Sequence, residues 1–199
     1  MDSVGIAREI RLRARTFPYI IALDGTIGSG KSYLGGVLKE ALSPGALLIT
    51  MDLFVCVPRS EWDSKIEAGG IRLRDWYDIG KARETLLSIR SNKTFEVSGL
   101  YDVETGNICN RITIDTVKYD YFILEGLFSL DHELDGLVDL GIFVDTPGAI
   151  ALARAESRDE SKRHLDPHGW IEKKEIYYDG YLPYIESHRE NADLVFQPE

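Results

Sequence analysis

The sequence predicts an α/β fold in which a mostly parallel sheet is wrapped by helices. Three observations carry that expectation. Short apolar runs alternate along the chain with amphipathic helical stretches. The first apolar run, "YIIALD", passes through the glycine-rich turn "GTIGSG" into a helix. Four of the apolar runs end in an acid or run directly into one, at Asp24, Asp52, Glu125 and Asp145. With 199 residues and 44% hydrophobic content the chain can bury one substantial core, so a single domain with a small insertion or lid accounts for its length.

The elements follow in chain order. "MDSVGIAREIRLRARTF" reads as an exposed helix: Arg8, Arg11, Arg13 and Arg15 are offset by Asp2 and Glu9, and the apolar core of a signal peptide is missing. Tyr19 to Asp24 is the first strand. After the glycine turn, "SYLGGVLKEAL" places Leu34, Val37, Leu38 and Leu42 on one helical face. Further strands are expected at Ala46 to Met51, Tyr119 to Glu125, Leu137 to Asp145 and Asp193 to Phe196. The piece Thr94 to Ile114 alternates and carries "ETGN", a β-hairpin signal beside the main sheet. Helices are expected over Asp78 to Arg90, Pro147 to Arg163 and His168 to Arg189, with Pro183 kinking or dividing the last.

Composition excludes several classes. A net charge of −10 argues against a general nucleic-acid binder and against an anionic membrane surface, because both partners call for a basic face. Cys56 and Cys109 are too few for a disulfide framework and lack metal-ligand spacing, which makes a reducing cytoplasm the simplest home. No apolar run approaches membrane-spanning length.

The chemistry sits in Gly25-x-x-x-x-Gly30-Lys31-Ser32. Glycines let the backbone curl so that its N–H groups point inward, and the following helix adds the positive end of its dipole. Gly25, Thr26, Ile27, Gly28, Ser29, Gly30, Lys31, Ser32 and Tyr33 therefore form a candidate phosphate cradle, with Lys31 on the outer phosphates and the Ser32 hydroxyl on a magnesium ion. In an open parallel sheet the carboxyl ends of the strands face one crevice, so the strand-end acids converge on this loop. Glu125, closing "YFILE", reads as a metal-side acid more readily than as a helix cap. Asp52 is either a proton acceptor for an attacking hydroxyl or a turn residue, and the residues alone do not decide between them. Asp145 or Thr146 suits a helix N-cap, with Pro147 in the first turn. Arg154 and Arg158, four apart, share a helical face with Arg163 about one turn further; they suit either phosphoryl-transfer charge or a solvated surface on which Asp159 and Arg163 pair.

The chain resembles the uridine kinase and phosphoribulokinase family of P-loop kinases from about Tyr19 to its end, and most closely the short uridine kinase-like members. Matching stretches occur in order: "GTIGSGKS", "MDLFV" at the family's Asp-x-Phe-Tyr position, "DWYDIGKARETL", "YDVETGN", "FILEGLF", "IFVDTP", "ARAESRDESKR" and "ADLVF". The resemblance implies a nucleoside-kinase-like three-layer α/β/α fold with a five-stranded parallel sheet, a hairpin insertion at about 94–114 and a helical lid at about 150–166, in one domain spanning 1–199. It implies ATP and Mg2+ as cofactors, Lys31 and Ser32 on phosphates and metal, Asp52 as general base, and Glu125 near the metal. Arg154, Arg158 and Arg163 would lie in or beside the lid, and Asp75 and Tyr101 on the acceptor side.

Two departures bear on the acceptor. Uridine kinases usually place a histidine five residues after the tyrosine of the Tyr-Asp motif; here that position is Gly106, and the Asp-x-Phe-Tyr tyrosine is Val55. Pyrimidine selectivity is therefore expected to be looser, with Tyr101 supplying a stacking surface. The expected activity is transfer of the γ-phosphoryl group of ATP to a hydroxyl of a nucleoside or related small metabolite. Alternatives are a nucleoside monophosphate kinase or a pantothenate or sugar kinase. A nucleotide-driven switch is disfavoured, because "NKTF" fails the Asn-Lys-x-Asp signature at its last place. The expected partner is a small-molecule acceptor, and homo-oligomerisation is left open.

Overall fold

The computed structural model describes residues 2–68, 72–91, 93–163 and 167–198, with the side chains of 162, 163, 167 and 168 outside the description. Seven helices and seven strands are assigned among the described residues: α1 (Ser3–Arg13), β1 (Tyr19–Asp24), α2 (Lys31–Ala41), β2 (Ala46–Thr50), α3 (Trp62–Ala68), α4 (Ile79–Arg90), β3 (Thr94–Tyr101), β4 (Ile108–Asp115), β5 (Tyr121–Glu125), β6 (Leu140–Val144), α5 (Gly148–Arg163), α6 (Pro167–Lys173), α7 (Leu182–Glu190) and β7 (Leu194–Phe196). Five strands form the main sheet in the order β2-β5-β1-β6-β7, and every pair in it is parallel.

The sheet is covered on both faces, and the strand alternation shows how. Ile21, Leu23, Ile123, Leu140, Ile142 and Val144 point to one face, where they meet Ile6 and Ile10 of α1 and Leu34 and Leu38 of α2. Ile20, Phe122 and Leu124 point to the other, where they meet Ile79, Ala82, Leu86 and Ile89 of α4 and Phe54. Period-two side chains on wholly buried central strands thus feed two cores at once, as expected of a parallel sheet with helices on each side.

Boundaries shift where tertiary contacts compete with local pattern. Leu137 to Asp139 leave the expected strand because Asp139 turns back to β1: its amide donates to the Ile20 carbonyl, and its carboxylate accepts from the Ile20 amide at 2.7 Å. The expected helix over His168 to Arg189 is divided. α6 passes through a wide π-helical turn at Lys174–Asp179, and α7 restarts with Pro183 in its first turn, where a missing N–H costs nothing. Asp78 caps α4 by accepting from the Lys81 amide at 2.8 Å. β3 and β4 pair antiparallel in a separate two-stranded sheet, closing the hairpin expected from "ETGN". No helix among the described residues is long and apolar enough to cross a membrane.

Candidate active site

Register sets the site's floor. Glu125 pairs with Thr50 on one side and with Leu23 on the other, so the ends of β1, β2 and β5 stop at one level. The glycine loop leaves β1 there, and Asp52 leaves β2 there. Gly28 shows why the loop needs glycine: φ is +73°, and a Cβ would fall 1.9 Å from the Ala151 carbonyl oxygen of α5. α5 therefore packs directly on the loop. Thr146, just before α5, ties the two together by donating its hydroxyl to the Ser29 carbonyl at 2.8 Å.

Lys31 and Ser32 open α2. The Lys31 ammonium is buried and donates to the Thr26 carbonyl at 3.1 Å. Burial lowers its pKa, opposed by the charges of Glu125, Asp24 and Asp52, and Arg158 lowers it further. That set of neighbours puts the acids of three strand ends and the arginine of α5 within electrostatic reach of one amine. Ser32 donates to a Glu125 carboxylate oxygen at 3.0 Å. Burial raises the pKa of Glu125, against the pull of Lys31 and the hydrogen bond from Ser32. In the same loop Ser29 Oγ is buried with no hydrogen-bond partner among the described residues.

These groups fit a metal-bound nucleotide. A buried cation beside inward-facing backbone suits phosphate. A hydroxyl and a carboxylate 3.0 Å apart offer hard oxygen donors of the kind magnesium takes. Tyr33, by contrast, is 78% exposed. It lies at the loop's outer margin.

The four strand-end acids do four different things. Asp24 is fully buried and structural: it accepts from the Gly25 amide (2.7 Å), the Leu130 amide (2.9 Å) and the Tyr181 hydroxyl (2.7 Å), and it meets His188 Nδ1 at 3.0 Å. Asp145 pairs with Arg189 at 3.0 Å, while the neighbouring Thr146 serves the loop. Glu125 faces Ser32. Asp52 sits in a 3-10 turn (Met51–Phe54) whose cap is Thr50, the Thr50 hydroxyl accepting from the Asp52 amide at 3.3 Å. The turn therefore does not need the Asp52 side chain, and no hydrogen bond or ion pair among the described residues engages its carboxylate, which is exposed.

Arg158 of α5 lies within electrostatic reach of this floor through Lys31. Arg158 donates to Asp159 at 3.0 Å, and Lys173 of α6 meets the other oxygen of Asp159 at 2.5 Å. Burial pushes the Asp159 carboxyl up, but hydrogen bonds from Lys173 and Arg158 outweigh it and hold the pKa below the ordinary value. Arg154 and Arg158 line an open groove of about 690 Å³ along α5 with Ala149, Ile150, Ala153 and Ser157. Arg163 lies outside the described side chains, as does the 164–166 end of the expected lid.

On the acceptor side the structure sorts the expected residues differently. The Asp75 carboxylate is engaged by Arg72 at 3.0 Å near the surface. The residue of this segment that senses Asp52 is Tyr77, which is buried; its pKa is raised well above the ordinary value by burial and then by the Asp52 charge. Tyr101 is only 3% exposed, and its hydroxyl is buried with no hydrogen-bond partner among the described residues. Its ring is stacked by Trp62 of α3 at 6.4 Å between centroids and 14° between planes. Nothing in the local sequence around Trp62 marks it for this place; the signal would have been an aromatic excess in 62–77, with Trp76 and Tyr77 in one core cluster and Trp62 packed against it. Tyr181 and His188 were likewise invisible, since they reach Asp24 from 157 and 164 residues away.

Comparison with known proteins agrees with this geometry. Residues 20–198 match the model of the phosphoribulokinase / uridine kinase family. A uridine kinase of Borrelia hermsii is 29% identical over 180 residues, covering 88% of this chain and 84% of its own. A uridine kinase of Saccharomyces cerevisiae is 27% identical over 192 residues, covering 90% of this chain and 37% of its own. Among solved structures, a provisionally assigned fructose transport system kinase from a Silicibacter species superposes with a TM-score of 0.74 at 20% identity, covering 98% of this chain and 99% of its own. A protein described as a possible uridine kinase from Bacillus stearothermophilus gives 0.71 at 18% identity, covering 98% and 97%. At those identities the structures speak for the fold alone, which is the α/β fold of P-loop kinases. With the family model running through the phosphate loop, Asp52, Glu125 and the α5 arginines, the chain belongs to the phosphoribulokinase / uridine kinase family.

Proposed function

We propose that the protein is an ATP-dependent phosphotransferase that moves the γ-phosphoryl group to a hydroxyl of a nucleoside-like, uridine- or cytidine-like, or related small acceptor. The observation that carries this reading is the Asp52 carboxylate, which no hydrogen bond or ion pair among the described residues engages, at the floor that Lys31 and Glu125 share. The loop amides and Lys31 hold the phosphates. Ser32 and Glu125 would hold magnesium, which when bound neutralises phosphate charge. Asp52 accepts the acceptor's hydroxyl proton as the new O–P bond forms and the bond from the γ-phosphorus to the ADP oxygen breaks. Arg158, its guanidinium fixed by Asp159, offers a planar fork to the charge that spreads on the moving group. Arg154 serves the nucleotide along the α5 groove; Asp75 and Tyr101 keep the acceptor side, and Arg163, in or beside the lid, contacts the acceptor, all on the strength of the family pattern.

Coupled ADP release against nucleosides, nucleoside monophosphates, pantothenate and sugars tests the reading. Release that depends on a non-phosphorylated alcohol is expected. Release only with a nucleoside monophosphate would move the protein to that kinase class, and none with any acceptor would overturn phosphotransfer.

A further inference from the structure

We propose that Tyr181 and His188, from the far end of the chain, are positioning residues for phosphoryl transfer: through Asp24 they fix the entry of the phosphate loop against the segment that follows Glu125. The proposal rests on the phosphotransferase reading above and adds to it two buried residues that act through a third. Asp24 joins two stretches of backbone. One of its carboxylate oxygens accepts from the Gly25 amide, the first of the loop, at 2.7 Å, and the other accepts from the Leu130 amide, downstream of Glu125, at 2.9 Å.

Each oxygen has a second partner. The Tyr181 hydroxyl donates to the first at 2.7 Å, His188 Nδ1 meets the second at 3.0 Å, and the two side chains lie 3.0 Å from one another. Burial, and then the charge of Asp24, hold the Tyr181 pKa well above the ordinary value, so the hydroxyl keeps its proton and gives it to Asp24. His188 Nδ1 therefore faces two oxygens with no proton to offer it, and must carry the hydrogen itself. Together the two donors fix the rotation of the carboxylate, and with it the relation of Gly25 to Leu130. All three side chains are buried, so water does not replace a lost donor.

The segment between Glu125 and Leu130 supplies an independent observation. Phe128 has φ +65°, the one positive value at a non-glycine residue among the described residues, and a bulky side chain keeps that backbone only where its surroundings impose it. The surroundings are the same far end of the chain: the Phe128 ring meets Tyr181 at 5.4 Å, Tyr184 at 5.1 Å and His188 at 5.8 Å, with Tyr77 at 5.2 Å from another side. Gly126, next to Glu125, is pressed from the remaining direction. Its φ is +139°, and a Cβ there would fall 2.6 Å from Cβ of Met51, the residue before Asp52. Tyr181 and His188 thus hold the loop entry by hydrogen bonds and the strained turn after Glu125 by ring contacts. Loss of either donor is expected to let the loop and Glu125 shift relative to one another.

The test compares wild type with Tyr181→Phe, His188→Leu and His188→Asn, whose amide nitrogen stands near the place of Nδ1. Two measurements are made well below each melting temperature: calorimetric binding of a non-hydrolysable ATP analogue with magnesium, and kcat for ADP release with the best acceptor of the panel above. Tyr181→Phe and His188→Leu are expected to lower analogue affinity by about 3- to 10-fold and kcat by about tenfold. His188→Asn keeps a donor and should stay within about threefold of wild type in both. Tyr181→Phe removes one oxygen and keeps the ring against Phe128, so it carries the test if His188→Leu does not fold. Wild-type affinity and kcat in Tyr181→Phe, with only a lower melting temperature, would make the network an anchor of the fold alone and overturn the inference. Equal losses in His188→Leu and His188→Asn would overturn it too, because the donor would then not matter. If wild type releases ADP with no acceptor, the phosphotransferase reading fails, and analogue binding still decides whether Tyr181 and His188 position the nucleotide site; no analogue binding by wild type overturns both.

Discussion

The phosphate loop and the aromatic cluster around Trp62 are built on opposite principles. On the loop side, burial works against the charges: it lowers the pKa of Lys31 and raises that of Glu125, and Ser29 Oγ has no hydrogen-bond partner among the described residues. Such groups are costly without a ligand and favourable with one. On the aromatic side, Trp62, Trp76, Tyr101 and Tyr177 pack against one another through ring contacts at 5.5 to 6.5 Å. The difference teaches that the loop carries charged and polar groups that a ligand would complete, whereas the aromatic cluster is already packed by the chain's own residues.

Lys31→Ala should break the loop half most severely. Turnover is expected to fall by about 10³-fold or more, because the ammonium serves phosphate charge. The melting temperature should not fall, since the substitution removes a buried charge. Near-normal turnover in the folded variant would remove the phosphate-loop assignment.

Arg158→Lys should lower kcat by about 10- to 100-fold with little change in ATP affinity, because a point charge replaces a planar fork. Steady-state kinetics beside nucleotide binding checks this. A change confined to KM would make α5 a binding surface only.

Glu125→Gln has the smallest expected effect and the most informative sign. It should raise the magnesium requirement by about tenfold, as a neutral amide is a poorer partner for a hard cation. Without ligand it should increase stability. Folding raises the pKa of Glu125, so its contribution to stability is fully present below the ordinary carboxylate range and is lost as pH rises through the raised value. The glutamine variant lacks that loss. Its melting-temperature advantage over wild type should therefore grow with pH over that interval, and a constant difference would show that Glu125 is not penalised by burial.

Legibility in the sequence follows the same divide. β1, the glycine turn and the start of α2 are dictated by neighbours in the chain, and the structure places them where the pattern put them. The β3–β4 hairpin and the Asp78 cap are equally local. The short helix α3 carries no such signature, and Trp62 acquires its place only when Tyr101 and Trp76 are brought to it by folding. Asp24 is the mirror case. It stands beside the phosphate loop and reads as one more crevice acid, yet Tyr181 and His188 from the far end of the chain turn it into a structural anchor. Local rules specify charge and turn chemistry; which side chain fills a given space depends on partners far away in sequence.

Asp52, whose carboxylate no hydrogen bond or ion pair among the described residues engages, is proposed as the proton acceptor. Single-turnover transfer of the γ-phosphoryl group by Asp52→Asn, measured beside its nucleotide affinity, tests that role most directly. The amide keeps shape and hydrogen bonding but accepts no proton, so the rate should fall by about 10²- to 10⁴-fold while nucleotide affinity stays within about twofold. A transfer rate equal to wild type, with affinity unchanged, would contradict the account.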